Sequence, residues 1–144
     1  MGRNNIFFSI AKDFDESWNE TVQSRIESIE ANAGNRDGCA VRHVTERLLD
    51  RPEKTKLLLI LSDGIPADAE YGDGVGETGE YAIEDTRKAI LEARIKGIIP
   101  YCITIDRRAR DYTPHLYGEY HFTVLDDVTQ LPEKLSKLYL RLTK

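Results

Sequence analysis

Leu57-Leu58-Leu59-Ile60-Leu61 is an unbroken aliphatic run that ends on Ser62-Asp63-Gly64. It shows no alternation of polar and apolar residues, as expected of a strand covered on both faces in a parallel sheet, and it reads as a central strand. The segments on either side have helical spacing. Upstream, Val41, Val44 and Leu48 mark the apolar face of a helix that opens from Asn35-Arg36-Asp37-Gly38 and ends near Arg51-Pro52. Downstream, Ala82, Thr86, Ala89, Ile90 and Ala93 mark another, stopped by Gly97. Ile98-Ile99-Pro100-Tyr101-Cys102-Ile103-Thr104-Ile105 then reads as a second buried strand. Strand and helix alternate, which argues for a parallel or mostly parallel α/β sheet.

Toward the ends of the chain the same rules predict four more elements and a loop. Ile6-Phe7-Phe8-Ser9-Ile10 has the composition of a short strand. Asp13 with Glu16 fits a capping box, and Trp18, Val22, Ile26 and Ile29 recur at helical spacing, so a helix of about three to four turns is expected up to Gly34. Tyr120-His121-Phe122-Thr123-Val124 reads as a last strand. Leu131, Leu135, Leu138 and Leu142, with Pro132 at the start, give a closing helix. Residues 65 to 80 form a long acidic loop with glycines at 72, 74, 76 and 79, and such a loop is either functional or mobile.

A chain of 144 residues with 40% apolar content fits one domain over residues 1–144. Its net charge of −5 works against phosphate-backbone binding, so nucleic acid is not an expected partner. Cys39 and Cys102 stand 63 positions apart, outside any Cys-x-x-Cys pattern, and are expected to be buried free thiols. The longest aliphatic run is far too short for membrane insertion and no signal-peptide core follows the start, so a cytoplasmic protein is expected.

Asp63 is the foremost candidate for chemistry. A carboxylate at the carboxyl end of a buried strand lies where open α/β sheets bind ligands, and it can hold a hard cation through oxygen. Asp-Gly after a strand is equally an ordinary turn. The loop carrying Asn35 and Asp37 opens a helix, so its oxygens can reach the same end of the sheet, although plain helix capping explains either residue. Asp68, Glu70, Asp73, Glu77 and Glu80 lack the spacing of a calcium-binding EF-hand loop and read as a solvated acidic loop. His43, His115 and His121 are scattered, with no nucleophile near them in sequence. No phosphate-cradling Gly-x-x-x-x-Gly-Lys-Ser/Thr motif occurs. Lys134, Lys137, Arg141 and Lys144 line one side of the closing helix, as a solvated face or as a surface for an acidic partner.

Together these stretches resemble a known family. The aliphatic strand followed by Ser62-Asp63-Gly64-Ile65-Pro66-Ala67-Asp68 resembles the part of von Willebrand factor A domains that supplies an aspartate to the metal-ion-dependent adhesion site. More narrowly, five stretches are similar to the carboxyl-terminal domain of the nitric oxide reductase activation protein NorD and of the related CbbO. They are Lys12-Asp13-Phe14-Asp15-Glu16, Gly38-Cys39-Ala40-Val41-Arg42-His43, Ile83-Glu84-Asp85-Thr86-Arg87, Thr104-Ile105-Asp106-Arg107 and Asp111-Tyr112. The resemblance implies a three-layer, Rossmann-like sheet. It also implies a non-enzymatic module that assists a MoxR-type AAA+ ATPase in activating or assembling a target metalloenzyme, with the metal helping to bind an acidic group on the target.

The Asp-x-Ser-x-Ser motif that supplies most metal ligands in that family is absent, so the domain is expected to be truncated at its amino terminus. Asp63 and one of Asn35 and Asp37 are all that carry over as metal ligands, Asn35 standing where the family has a threonine and Asp37 being the nearby oxygen alternative. Mg2+ or Ca2+ is expected in an intact domain and weakly or not at all in this chain, because hard cations want about six oxygens. Two other functions compete, a metal-assisted hydrolase using Asp63 and a metal-free structural assembly domain. In the family order 3-2-1-4-5-6 the missing strands would leave Leu57 to Leu61 with an open edge. Either Ile6 to Ile10 moves beside that strand, or a homodimer closes the edge, and the homodimer is the preferred expectation.

Overall fold

A computed structural model describes residues 6–30, 34–66 and 80–142. The aliphatic run forms β1 (Lys56–Ser62), which pairs in parallel with β2 (Ile98–Thr104) in a register running from Lys56↔Ile98 to Ser62↔Thr104. The short β3 (Phe122–Val124) lies parallel along the other side of β2, with Cys102 opposite Phe122. The order is therefore β1-β2-β3. In a middle strand a proline removes a ladder bond, yet Pro100 sits in β2. The Cys102 N–H donates to the carbonyl of His121, so two residues earlier the Pro100 nitrogen faces the same way, ahead of the first residue of β3. No partner carbonyl is forfeited there.

Helices cover both faces. On one, α2 (Asp37–Leu49), α3 (Glu80–Ile95) and α4 (Ala109–Tyr117) enclose a core in which Val41, Leu48, Ile90 and Leu116 pack on Leu58, Ile98 and Cys102. On the other, α5 (Leu131–Leu142) follows a 3-10 turn at Val128–Gln130 and sets Leu135 and Leu138 against Leu57, Leu59, Tyr101 and Ile103. Alternation along each strand explains the division, since successive side chains point to opposite faces. The parallel α/β sheet and the helices at 37–49, 80–95 and 131–142 agree with the sequence reading.

Three expectations are corrected, and one helix goes unread in the sequence. Residues 6–10 form no strand. They run as an exposed, irregular segment beside α2, with the Phe8 ring tilted against His43 at 4.2 Å between centroids. Hence they do not move beside β1, and the rearranged sheet is not what the chain adopts. The amino-terminal helix is short: α1 spans Glu20–Glu27, capped by Asn19, whose side chain accepts from the Val22 N–H at 3.0 Å. Asp13 and Glu16 do form a turn, the Glu16 carboxylate accepting from the Asp13 N–H at 3.4 Å, but no helix continues from it. Of the apolar stripe only Val22 is buried, while Trp18 remains 62% exposed, so no core drives helix formation across it. β1 is an edge strand among the described residues, not a central one, and Leu61 is 61% exposed. Finally, α4 escaped the sequence reading because Pro114 lies inside it. Most of the acidic loop, residues 67–79, lies outside the described residues.

Candidate functional site at the carboxyl end of the sheet

β1 delivers Asp63 at its carboxyl end, where the Ser62 hydroxyl shapes the turn by donating to the Gly64 carbonyl at 2.8 Å and accepting from the Gly64 N–H at 3.3 Å. Asp63 itself is exposed. Asp37 is the first residue of α2, where the positive end of the helix favours an acid. The Asn35 amide nitrogen donates to its Oδ1 at 2.9 Å. Burial holds the Asp37 carboxyl above the usual carboxylate range, the Asn35 bond opposes that rise, and the charge of Asp63 adds to it. Asn35 is thus bonded to Asp37 and the charge of Asp63 reaches Asp37, which makes this end of the sheet an acidic corner.

That corner is held by packing between α2 and α3. Gly38 lies so close to α3 that an added Cβ would run into the Asp85 carboxylate, and only glycine permits the approach. Arg42, one turn on, donates to Asp85 Oδ1 and to Glu92 Oε2, both at 2.8 Å, and ties α2 to α3 along its length. Under the corner lie Cys102 and Tyr117. Burial pushes the Cys102 thiol up to about 12, and burial likewise raises the Tyr117 hydroxyl, with Cys102 and Asp37 adding to the effect. Both stay protonated at neutral pH, so Cys102 is an inert core thiol.

Other family-like stretches turn out to be braces. Asp106 accepts from the Arg108 N–H at 2.9 Å and from the Tyr112 hydroxyl at 3.0 Å, so Thr104-Ile105-Asp106-Arg107 with Asp111-Tyr112 shapes the turn into α4. Lys12-Asp13-Phe14-Asp15-Glu16 clamps onto α2. Arg51 makes a two-pronged bond to Asp15 at 2.8 and 2.9 Å, Arg47 bonds Asp13, and both guanidinium groups lie over the Phe14 ring. The alternation of acid and aromatic opposite two arginines one helical turn apart was the signal for this clamp. His115 pairs with Glu84 at 2.6 Å on the α3–α4 surface.

Asn35, Asp37 and Asp63 suit a hard cation in kind but not in number. They offer two carboxylates and one amide oxygen against about six positions. Among the described residues no three of His, Cys, Asp and Glu are grouped so as to hold a metal ion. No helix among them is long and apolar enough to cross a membrane.

A parallel sheet with helices on both faces and an acidic corner at its carboxyl end defines an α/β domain of the von Willebrand factor A type. The chain belongs to the family described as the cobalamin biosynthesis protein CobT VWA domain, whose model matches residues 21–130. It is 41% identical to an uncharacterized protein of Pseudomonas aeruginosa over 99% of this chain and 22% of that protein. It is 38% identical to Protein NorD of Brucella melitensis over 89% of this chain and 19% of that protein. It is also 37% identical to Protein NorD of Stutzerimonas stutzeri over 83% and 19%. The chain thus spans about a fifth of the length of these relatives. No solved structure matches it.

Proposed function

We propose that the chain is a protein-interaction module of the NorD and CbbO type, which assists a MoxR-type AAA+ ATPase in activating or assembling a target metalloenzyme. One observation carries the reading. In a chain similar to NorD, the strand-end Asp63 lies close enough to the helix-opening Asp37 for its charge to act on that half-buried carboxyl. Two like charges held together at a sheet end favour a divalent cation between them. Asp63, Asp37 and the Asn35 oxygen would hold Mg2+ or Ca2+, with water or an acidic side chain of the target completing the shell. When bound, the ion supplies a positive centre for that acidic group. This chain's own residues position the corner: Gly38 sets the depth of α2, and Arg42 fixes α2 against α3.

The test is binding to a purified MoxR-type ATPase from the same organism, by biolayer interferometry in about 10 mM Mg2+. Micromolar affinity, weakened at least about tenfold by Asp63→Ala, is expected; no binding by the unaltered chain at about 100 µM overturns the proposal.

A further inference from the structure

Three arginines in four positions, Arg107, Arg108 and Arg110, open α4 at the carboxyl end of the sheet, and all three are exposed. Hydrogen bonds fix the turn that presents them. Asp106, just beyond the end of β2, has a carboxylate only 11% exposed that accepts from the Arg108 N–H and the Tyr112 hydroxyl, while its carbonyl accepts from the Ala109 N–H at 3.0 Å. Ala109 is fully buried and Thr113 nearly so, which turns the arginines away from the core.

Lack of an acid sets these arginines apart. Arg25, Arg42, Arg47, Arg51 and Arg87 each bond a carboxylate at 2.9 Å or less, so arginine elsewhere in this chain is a brace. Among the described residues the Arg107 and Arg110 side chains have no hydrogen-bond or ion-pair partner, and Arg108 has only the already engaged Asp106 carboxylate at 3.8 Å. A chain of net charge −5 thus gathers three uncompensated guanidinium groups at the positive end of one helix. Their mutual repulsion is relieved when an anion binds.

We propose that this patch receives a short acidic segment of a partner protein, its carboxylates held by the guanidinium forks of Arg107, Arg108 and Arg110. The planar fork matches a carboxylate in two prongs, and Ile105, 46% exposed beside the arginines, adds an apolar contact. Neighbouring acids limit the length of the segment. Asp111 is exposed on the same helix, and the Ser62↔Thr104 register sets Asp63 beyond the adjacent strand end, so a long phosphate backbone would run across negative charge. The inference rests on reading the chain as an interaction module, but its anchor is arginine and not a metal ion, so it and the reading of the acidic corner can fail separately.

The experiment follows the fluorescence anisotropy of a labelled hexaglutamate peptide as the unaltered chain is added in EDTA, at about 50 mM salt, where surface charge is only partly screened. Saturable binding below a millimolar is expected. Arg107→Gln, Arg108→Gln and Arg110→Gln together are expected to keep the circular dichroism spectrum, since all three are exposed, and to weaken binding at least about tenfold. Arg110→Glu alone, an acid in a first helical turn that tolerates one, is expected to weaken it at least about threefold. Lys88→Gln, Lys134→Gln and Lys137→Gln remove the same charge from exposed positions on α3 and α5, and are expected to change it less than about twofold. Asp63→Ala is expected to leave binding in place, which separates the patch from the acidic corner. No binding by the unaltered chain at about 1 mM, or equal losses from the arginine and lysine triples, overturns the proposal. So does binding that requires Mg2+ and disappears with Asp63→Ala. A ten-nucleotide oligothymidylate that binds more tightly than the peptide in the same buffer overturns it in favour of phosphate.

Discussion

At the scale of single residues, Gly38 and Asp37 carry the corner for opposite reasons. Gly38 is required by space, because the Asp85 carboxylate occupies the volume where a Cβ would stand. Gly38→Ala is expected to cost about 1 to 3 kcal/mol by overpacking, read as a lower urea midpoint, and to loosen the Arg42 to Asp85 bond; an unchanged midpoint would show that α2 can retreat freely. Asp37 is instead a burden the fold tolerates. Its pKa in the folded chain lies above the ordinary 3.8, chiefly through burial. Its contribution to stability is therefore complete below about pH 3.8 and is lost as pH rises through the raised value. At pH 7 the ionised carboxylate opposes folding. Asp37→Asn, whose side-chain oxygen can still accept from Asn35, is expected to raise the urea midpoint at pH 7. That advantage shrinks as pH falls toward 4, and an advantage that grows on acidification would contradict the assignment.

At the scale of elements, two segments separate what binary pattern can and cannot tell. Ile98 to Thr104 was legible from its apolar content, the leucines of α5 from their helical period, and Leu57 to Leu61 from its unbroken aliphatic run, although Leu61 is exposed. The segment at Ile6 to Ile10 has equal strand character but no adjacent strand to bond it, and strand propensity without a partner yields no strand. The α1 stripe was overread for the same reason, since spacing predicts a face and only a core makes use of it. At the site, Asp63 and the Asn35 to Asp37 loop were readable as strand-end and helix-start residues, whereas the Gly38 to Asp85 contact was not, because it joins residues 47 positions apart. The energetic difference between the two kinds of segment is testable. Phe8→Ala removes a ring that rests on His43 at the surface, and is expected to cost less than about 1 kcal/mol. Ile90→Ala empties a fully buried position in the core between α3 and the sheet, and is expected to cost about 2 to 5 kcal/mol. Comparable losses at both sites would mean that the irregular segment is part of the cooperative core.

On the scale of the whole molecule, the acidic corner and the sheet make different demands on a cation. The charge of Asp63 reaches Asp37, and with so few protein oxygens at the corner metal binding is expected to add little to stability. The size of that addition follows from linkage: a ligand that binds only the folded chain stabilises by RT ln(1 + [L]/Kd). With three protein oxygens of about six, a dissociation constant on the order of a millimolar is expected, and 10 mM Mg2+ then contributes about 1.4 kcal/mol. In a chain of 144 residues this is a rise of about 3 to 6 °C in Tm. Asp63→Ala should remove the rise, because it takes away the exposed carboxylate and leaves Asp37, whose burial already favours the neutral form. Lys56→Ala, on the same strand but at its amino end, should leave the rise intact and so controls for general salt effects. A rise that survives Asp63→Ala would move the cation elsewhere on the molecule. Robust Mg2+-dependent turnover of a generic phosphoester by the same samples, lost in Asp63→Ala, would make the corner a hydrolytic centre, since the cation would then be activating water and not only presenting charge to a partner.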